Sequence, residues 1–128
     1  MMAMLSGVAS GWLATLFLCL AALIGVLGRA RRGRLRAFGL HFGFGLLVPA
    51  TALAHASFVM TTGGMRLMNP AGLWLATAAL GLATVQAALG FALRASTGPE
   101  RLMLRPLHVT IMFVLVATIG AHAWLNRV

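Results

Sequence analysis

HFGFGLLVPATALAHASF, residues 41–58, is apolar enough to lie in a bilayer, yet it carries two histidines, His41 and His55, fourteen residues apart. The pattern returns in HVTIMFVLVATIGAHAWL, residues 108–125, where His108 and His122 are again fourteen apart. These are the four histidines of the chain. At about 100° per residue, fourteen residues fall about 40° short of four helical turns, so both rings of a pair leave nearly the same helix face, about 21 Å apart along the axis. Ionisable side chains at membrane depth are costly and by default mark function. Two such helices side by side would stack two bis-histidine sites, as two haems in series across a membrane require.

The surrounding sequence sets the fold. The chain has 128 residues, is 61% hydrophobic, and has a mean hydropathy of +0.97, well outside the range of a soluble domain. Four long uncharged runs, Leu5–Gly28, Ala37–Met65, Leu67–Leu93 and Pro106–Asn126, each suffice to cross about 30 Å of hydrocarbon. Backbone groups in lipid must pair within their own segment, so each run is expected to be a helix. The expectation is an all-α, four-helix transmembrane bundle forming one domain, residues 1–128, with helices over about 5–28, 37–62, 71–93 and 106–126. The first run lacks a positive leading region and is longer than a signal-peptide core, so it is read as a retained helix.

All ten positive charges are arginines, against the single acid Glu100. They flank the apolar runs, which fits lipid headgroups and topology determination better than nucleic acid, and a nucleic-acid partner is not expected. Loops one and three hold eight of them: Arg29, Arg31, Arg32, Arg34, Arg36, Arg94, Arg101 and Arg105. Arg66 and Arg127 lie on the opposite side. The positive-inside rule then gives a multi-pass protein of the plasma (inner) membrane with both termini outside, on the periplasmic side. Gly98-Pro99 is expected to break the third loop, with residues 100–105 as a short interfacial turn or a solvated link. Cys19 stands alone and there is no CxxCH, which excludes an intrachain disulfide and covalent haem attachment. Cys19 is read as a small packing residue.

The chain also repeats internally. Residues 50–56, ATALAHA, match residues 117–123, ATIGAHA, at five of seven positions, and Trp12-Leu13-Ala14-Thr15 recurs as Trp74-Leu75-Ala76-Thr77. Helices one and two thus read as a hairpin repeated as helices three and four. Helices two and four would run in the same direction, which sets His41 level with His108 on the arginine-rich side and His55 level with His122 on the other.

A neutral imidazole that binds iron through Nε2 still needs an acceptor for Nδ1–H. Thr51 and Thr118 stand four residues before His55 and His122, and either the hydroxyl or the carbonyl there is a candidate acceptor. The blander reading is a threonine bonded to its own backbone. A ring also needs room. Gly39, Gly43 and Gly45 surround His41, and Gly11 and Gly25 in helix one are fourteen apart, as are Ala76 and Gly90 in helix three. Ordinary small-residue helix packing explains such glycines equally well. Haem propionates call for arginine, and Arg36 and Arg105 precede the inner histidines. Pro49 is expected to bend helix two between the two levels.

Two helices, each with a His-x13-His pair, within four apolar helices resemble the haem-binding core of cytochrome b from quinol-oxidising complexes. They are also similar to the ferric-reductase and NADPH-oxidase membrane domain. The resemblance implies two b-type haems with His41 and His108 as axial ligands of the inner one and His55 and His122 of the outer. It implies haem-facing roles for Gly11 and Gly25. The additional helices and quinone-site loops of cytochrome b, and a flavin or nicotinamide domain, are not expected from these four runs. The implied function is electron transfer across the membrane between a donor and an acceptor, protein or quinone, as a subunit of a larger redox complex. With both axial positions filled, chemistry is confined to a haem edge, with quinol, ferric ion or superoxide as candidates. Two other classes remain in view: a non-redox scaffold or assembly subunit with structural histidines, and a metal-ion or proton carrier, which would usually recruit intramembrane carboxylates as well.

Overall fold

The computed structural model describes residues 2–30, 34–67 and 69–126, with side chains described for 8–28, 38–66 and 69–126. Its elements are α1 (Met2–Ala30), α2 (Arg34–Thr61), a short 3-10 turn (Gly64–Leu67), α3 (Pro70–Ala95) and α4 (Gly98–Leu125). All four α-helices contain spans long and apolar enough to cross a membrane, which marks a multi-pass membrane protein. The threonine hydroxyls return to the helix backbone, as polar groups in lipid must. Thr15 donates to the Gly11 carbonyl, Thr77 to Leu73 and Thr84 to Leu80.

The helix ends follow local chemistry. Asn69 caps α3, its side-chain oxygen accepting the Ala71 N–H at 2.9 Å, with Pro70 at the first helical position, where a missing N–H costs nothing. Gly63 ends α2 at φ 74° and Gly98 opens α4 at φ 58°, both in the left-handed region that favours glycine. The fourth helix begins eight residues earlier than its uncharged run suggests. Pro99, not Pro106, is the proline of its first turn, Glu100 lies in that turn where the helix dipole favours a negative charge, and Pro106 falls inside the helix. The third loop therefore shrinks to Ser96-Thr97, and Arg101 and Arg105 stand on α4. The arginine cluster of the first loop is likewise drawn into helix ends, apart from residues 31–33, which lie outside the described residues.

Contacts gather into two compact units, residues 1–62 and 63–128. Each is a helical hairpin, α1 on α2 and α3 on α4. The hairpins repeat each other in burial as well as in sequence. Ala21 and Ala83, 62 positions apart, are both buried, as are Val48 and Leu115, 67 positions apart. Trp12 and Trp74 are both exposed. Val48 lies seven residues from each of His41 and His55, and Leu115 seven from each of His108 and His122. Seven residues are nearly two turns, so each histidine pair and the apolar residue midway form one stripe, and that stripe is the seam of the hairpin. On α1, Gly11, Leu18 and Gly25 carry the same interval, with Leu18 buried. Cys19 follows Leu18 by 100° of arc and is exposed, rather than packed within the hairpin.

Leu115 is 0% exposed, the largest fully buried side chain among the described residues. Lipid supplies little hydrophobic drive between helices, so packing and the avoidance of voids carry that seam. Leu115→Ala is expected to destabilise the protein by about 2 kcal/mol, toward the low end for buried Leu→Ala because the transfer term is small in lipid. Unfolding of the detergent-solubilised protein on titration with a denaturing detergent measures it. An unchanged midpoint would mean that the seam does not hold the second hairpin together.

Candidate functional site

All four histidines engage the partner helix of their own hairpin. In the first hairpin His41 lies toward the turn between α1 and α2, and its Nδ1 is 2.7 Å from the Ala21 carbonyl. A carbonyl only accepts, so His41 carries its proton on Nδ1 and the lone pair is on Nε2. His55, at the other end, pairs through Nδ1 with the Ser10 hydroxyl at 3.0 Å. Two glycines of α1 make room for these rings. A Cβ at Gly25 would meet His41 Nδ1 at 3.1 Å, and one at Gly11 would meet His55 Cε1 at 3.2 Å. The glycine interval on α1 thus matches the histidine interval on α2, level by level.

The second hairpin is built alike at its open end and differently near its turn. His122 Nδ1–H donates to the Gly72 carbonyl at 2.8 Å, which again puts the lone pair on Nε2. Asn126 completes this end. Its Nδ2 donates to the His122 carbonyl at 2.9 Å and lies 3.3 Å from His122 Nδ1, while its Oδ1 accepts the Asn69 N–H at 3.2 Å. Gly72 is buried because the Asn126 side chain rests on it; a Cβ there would lie 2.7 Å from Asn126 Cγ. Near the turn, His108 is met by a side chain rather than a carbonyl: Gln86 Nε2 is 3.3 Å from His108 Nε2. Gly90 lies at the same level, where a Cβ would be 3.9 Å from His108 Cε1.

Several expected participants stand apart from the histidines. Thr51 donates to the Leu47 and Val48 carbonyls, at 2.6 and 3.1 Å, and Thr118 to Val114 at 2.8 Å. Both hydroxyls donate within their own helix, and the Nδ1 atoms of His55 and His122 meet Ser10 and Gly72 instead. Nothing lies within 4 Å of a Cβ built at Gly39, Gly43 or Gly45, so these glycines open no space beside His41 within the hairpin. Phe44 stacks on Phe17 of α1, ring centroids 6.0 Å apart, while Phe113 and Trp124 are exposed. Arg105 is exposed, and the Arg36 side chain lies outside the described residues.

Ser10, Ala21, Gly72 and Gln86, which meet the rings, carry no mark in the sequence reading, whereas Asn126 stands there as a polar group available at the outer level. One signal for two of them was present: Ser10 and Gly72 are 62 positions apart, the interval of the WLAT repeat, so the repeat extends upstream to the residues that meet His55 and His122. The others bond through the backbone or lack any counterpart in the repeat.

Asn126 ties the last turn of α4 to the first of α3. Asn126→Ala removes three contacts and leaves the Asn69 N–H without its acceptor, so a loss of about 1–2 kcal/mol is expected. Thermal unfolding in detergent reads it, and a neutral result would show that the latch carries no stability.

As a donor set the four imidazoles suit haem iron. Two have acceptor-only carbonyls on Nδ1, the arrangement that orients a ligating histidine and raises its basicity. Glycine gaps at Gly11 and Gly25 keep bulk away from two of the rings. Among the described residues no three His, Cys, Asp or Glu side chains gather to hold a metal ion. Compared with known proteins, the chain matches no family model, no curated protein and no solved structure.

Proposed function

We propose that the chain is a membrane electron-transfer protein that holds two b-type haems, one between His41 and His108 on the arginine-rich side and one between His55 and His122 on the other. The observation that carries this reading is the pair of hydrogen bonds from His41 Nδ1 to the Ala21 carbonyl and from His122 Nδ1 to the Gly72 carbonyl. Each fixes the tautomer whose lone pair is on Nε2, and it does so on a histidine at each of the two levels. Equal spacing on alternate helices supplies the rest. A haem held by two imidazoles supplies a one-electron couple. The chain's own part is to orient the imidazoles, to keep the Gly11 and Gly25 gaps open, and to exclude water with the apolar seam. Arg36 and Arg105 are the side chains placed in sequence to meet propionates on the arginine-rich side. Electrons would come from and pass to partners, proteins or quinone, with the chain as a subunit of a larger redox complex.

A reduced-minus-oxidised visible spectrum of the purified protein, with haem content by pyridine haemochrome, tests this. A b-type spectrum at about two haems per chain is expected. A folded protein without haem, made with ample haem supply, would promote the second reading, a non-redox scaffold. That reading draws on one observation, that the imidazoles already have hydrogen-bond partners inside their own hairpins.

The same proposal places both termini on the outer side of the plasma membrane, because eight of ten arginines lie in or beside loops one and three. A reporter fused to the C-terminus is expected to be active only outside the cytoplasm. Replacing Arg29, Arg31, Arg32, Arg34 and Arg36 by glutamine is expected to give a mixed orientation. A cytoplasmic C-terminus in the unaltered chain would reverse the assignment.

A further inference from the structure

One nitrogen of the second hairpin has two hydrogen-bonding neighbours that it cannot satisfy together. His122 Nδ1 is 2.8 Å from the Gly72 carbonyl and 3.3 Å from Asn126 Nδ2. The carbonyl only accepts, so it calls for a proton on Nδ1; the amide nitrogen only donates, so it calls for a lone pair there. The amide is not free to turn over and remove the conflict. Its Nδ2 donates to the His122 carbonyl at 2.9 Å, and its Oδ1 accepts the Asn69 N–H at 3.2 Å. Reversing it would set oxygen against oxygen and N–H against N–H at these two contacts. Nor can it move aside toward α3, because it rests on Gly72, where a Cβ would lie 2.7 Å from Asn126 Cγ. Nδ2 carries two protons, one for the His122 carbonyl and one for the ring. The residue 67 positions before Asn126, the interval that relates His55 to His122, is Val59, whose side chain neither donates nor accepts.

We infer that His122 is a two-state imidazole, and that Asn126 holds the state in which it cannot ligate through Nε2. In the prevailing state Nδ1–H donates to the Gly72 carbonyl and the lone pair is on Nε2. In the other the proton is on Nε2 and Nδ1 accepts the Asn126 Nδ2–H. The proton leaves one ring nitrogen to water and returns from water to the other. The ring is neutral in both states, no electron moves, and no heavy atom has to shift. Each state keeps one hydrogen bond at Nδ1, so the two lie within about tenfold of each other, and the shorter contact to Gly72 sets which prevails. The bearing on ligation rests on the haem reading. A ring with its proton on Nε2 has no lone pair to offer there, so Asn126 sets the share of chains in which His122 is ready to ligate.

Nitrogen-15 NMR of the full chain, made without haem and kept in detergent at alkaline pH, reads the two states directly, because protonated and bare ring nitrogens resonate far apart. The His122 signals are those lost in His122→Gln. Both states are expected, as separate signals or as averages between the two types, with the Nδ1–H form ahead by up to about tenfold. Asn126→Asp keeps an oxygen for the Asn69 N–H, and Asn126→Ser keeps a donor for the His122 carbonyl four residues back; both remove the amide proton that faces the ring. Each is expected to raise the share of the Nδ1–H form over the other about threefold to tenfold. A wild-type His122 wholly in the Nδ1–H form overturns the inference, as does an unchanged ratio in both variants or a move toward the Nε2–H form. The measurement involves no haem, so a chain that never takes up haem overturns the haem reading and not this one.

Discussion

His41→Ala is expected to lower haem content from about two per chain to about one, and His122→Ala to do the same at the other level. The double variants carry more information than the singles. If His41 pairs with His108, removing both leaves about one haem, because both substitutions damage the same site. Removing His41 with His122 leaves none, because each level loses a ligand. Had the histidines paired the other way, His41 with His122, the two doubles would exchange results. A bis-imidazole site that loses a ligand held in place by Ala21 or Gly72 also loses the tautomer control which that carbonyl provides. Pyridine haemochrome on folded, monodisperse protein is the measurement. Two haems retained in His41→Ala would remove His41 from the ligand set. The same outcome in the cross-level double would remove both histidines and with them the proposal.

The four helices were legible because the signal is coarse and strong: uncharged runs longer than 20 residues, bounded by arginines. Hairpin pairing was legible because the sequence repeats. The start of α4 was not, since two prolines, Pro99 and Pro106, each suit a first turn and only Gly98 at positive φ distinguishes them. Around the histidines the limit is different in kind. Periodicity puts Gly11 and Gly25 on one face of α1, and the structure sets those glycines beside His55 and His41. Periodicity says nothing about which backbone carbonyl a ring reaches, because every residue type has one. Ala21 and Gly72 meet the rings through their carbonyls, and no side-chain pattern marks them. The Thr51 and Thr118 hydroxyls donate to carbonyls of their own helix, the plainer of the two readings, while the Nδ1 atoms of His55 and His122 meet Ser10 and Gly72 across the hairpin. Gln86 was overlooked as one polar residue in an apolar run, although rarity in lipid was its signal.

Gly25→Leu is expected to cost about 1–3 kcal/mol of stability, the range for overpacking a close-packed interior, and to displace the His41 ring from the Ala21 carbonyl. The first side-chain atom alone would lie 3.1 Å from His41 Nδ1 and 3.2 Å from Cε1, closer than carbon ordinarily approaches, and leucine adds three more carbons behind it. Gly11→Leu is expected to act alike on His55, whose Cε1 lies 3.2 Å away. The matched control is Gly43→Ala. Gly43 sits on α2 two residues beyond His41, with nothing within 4 Å of a Cβ. There alanine meets no neighbour and gains the helix propensity that glycine lacks, about 0.8–1.0 kcal/mol in a helix interior. The two kinds of glycine therefore predict opposite signs. Detergent unfolding midpoints measure both, and haem content read on the same samples connects packing to function. Loss of stability at Gly25 with haem retained would separate the ring's packing from its ligation. Equal tolerance at Gly25 and Gly43 would mean that the glycines of α1 are helix-packing residues unrelated to the histidines. A one-sided loss at Gly11 and Gly25, in stability and in haem together, ties the fourteen-residue interval of α1 to that of α2 as two halves of one construction.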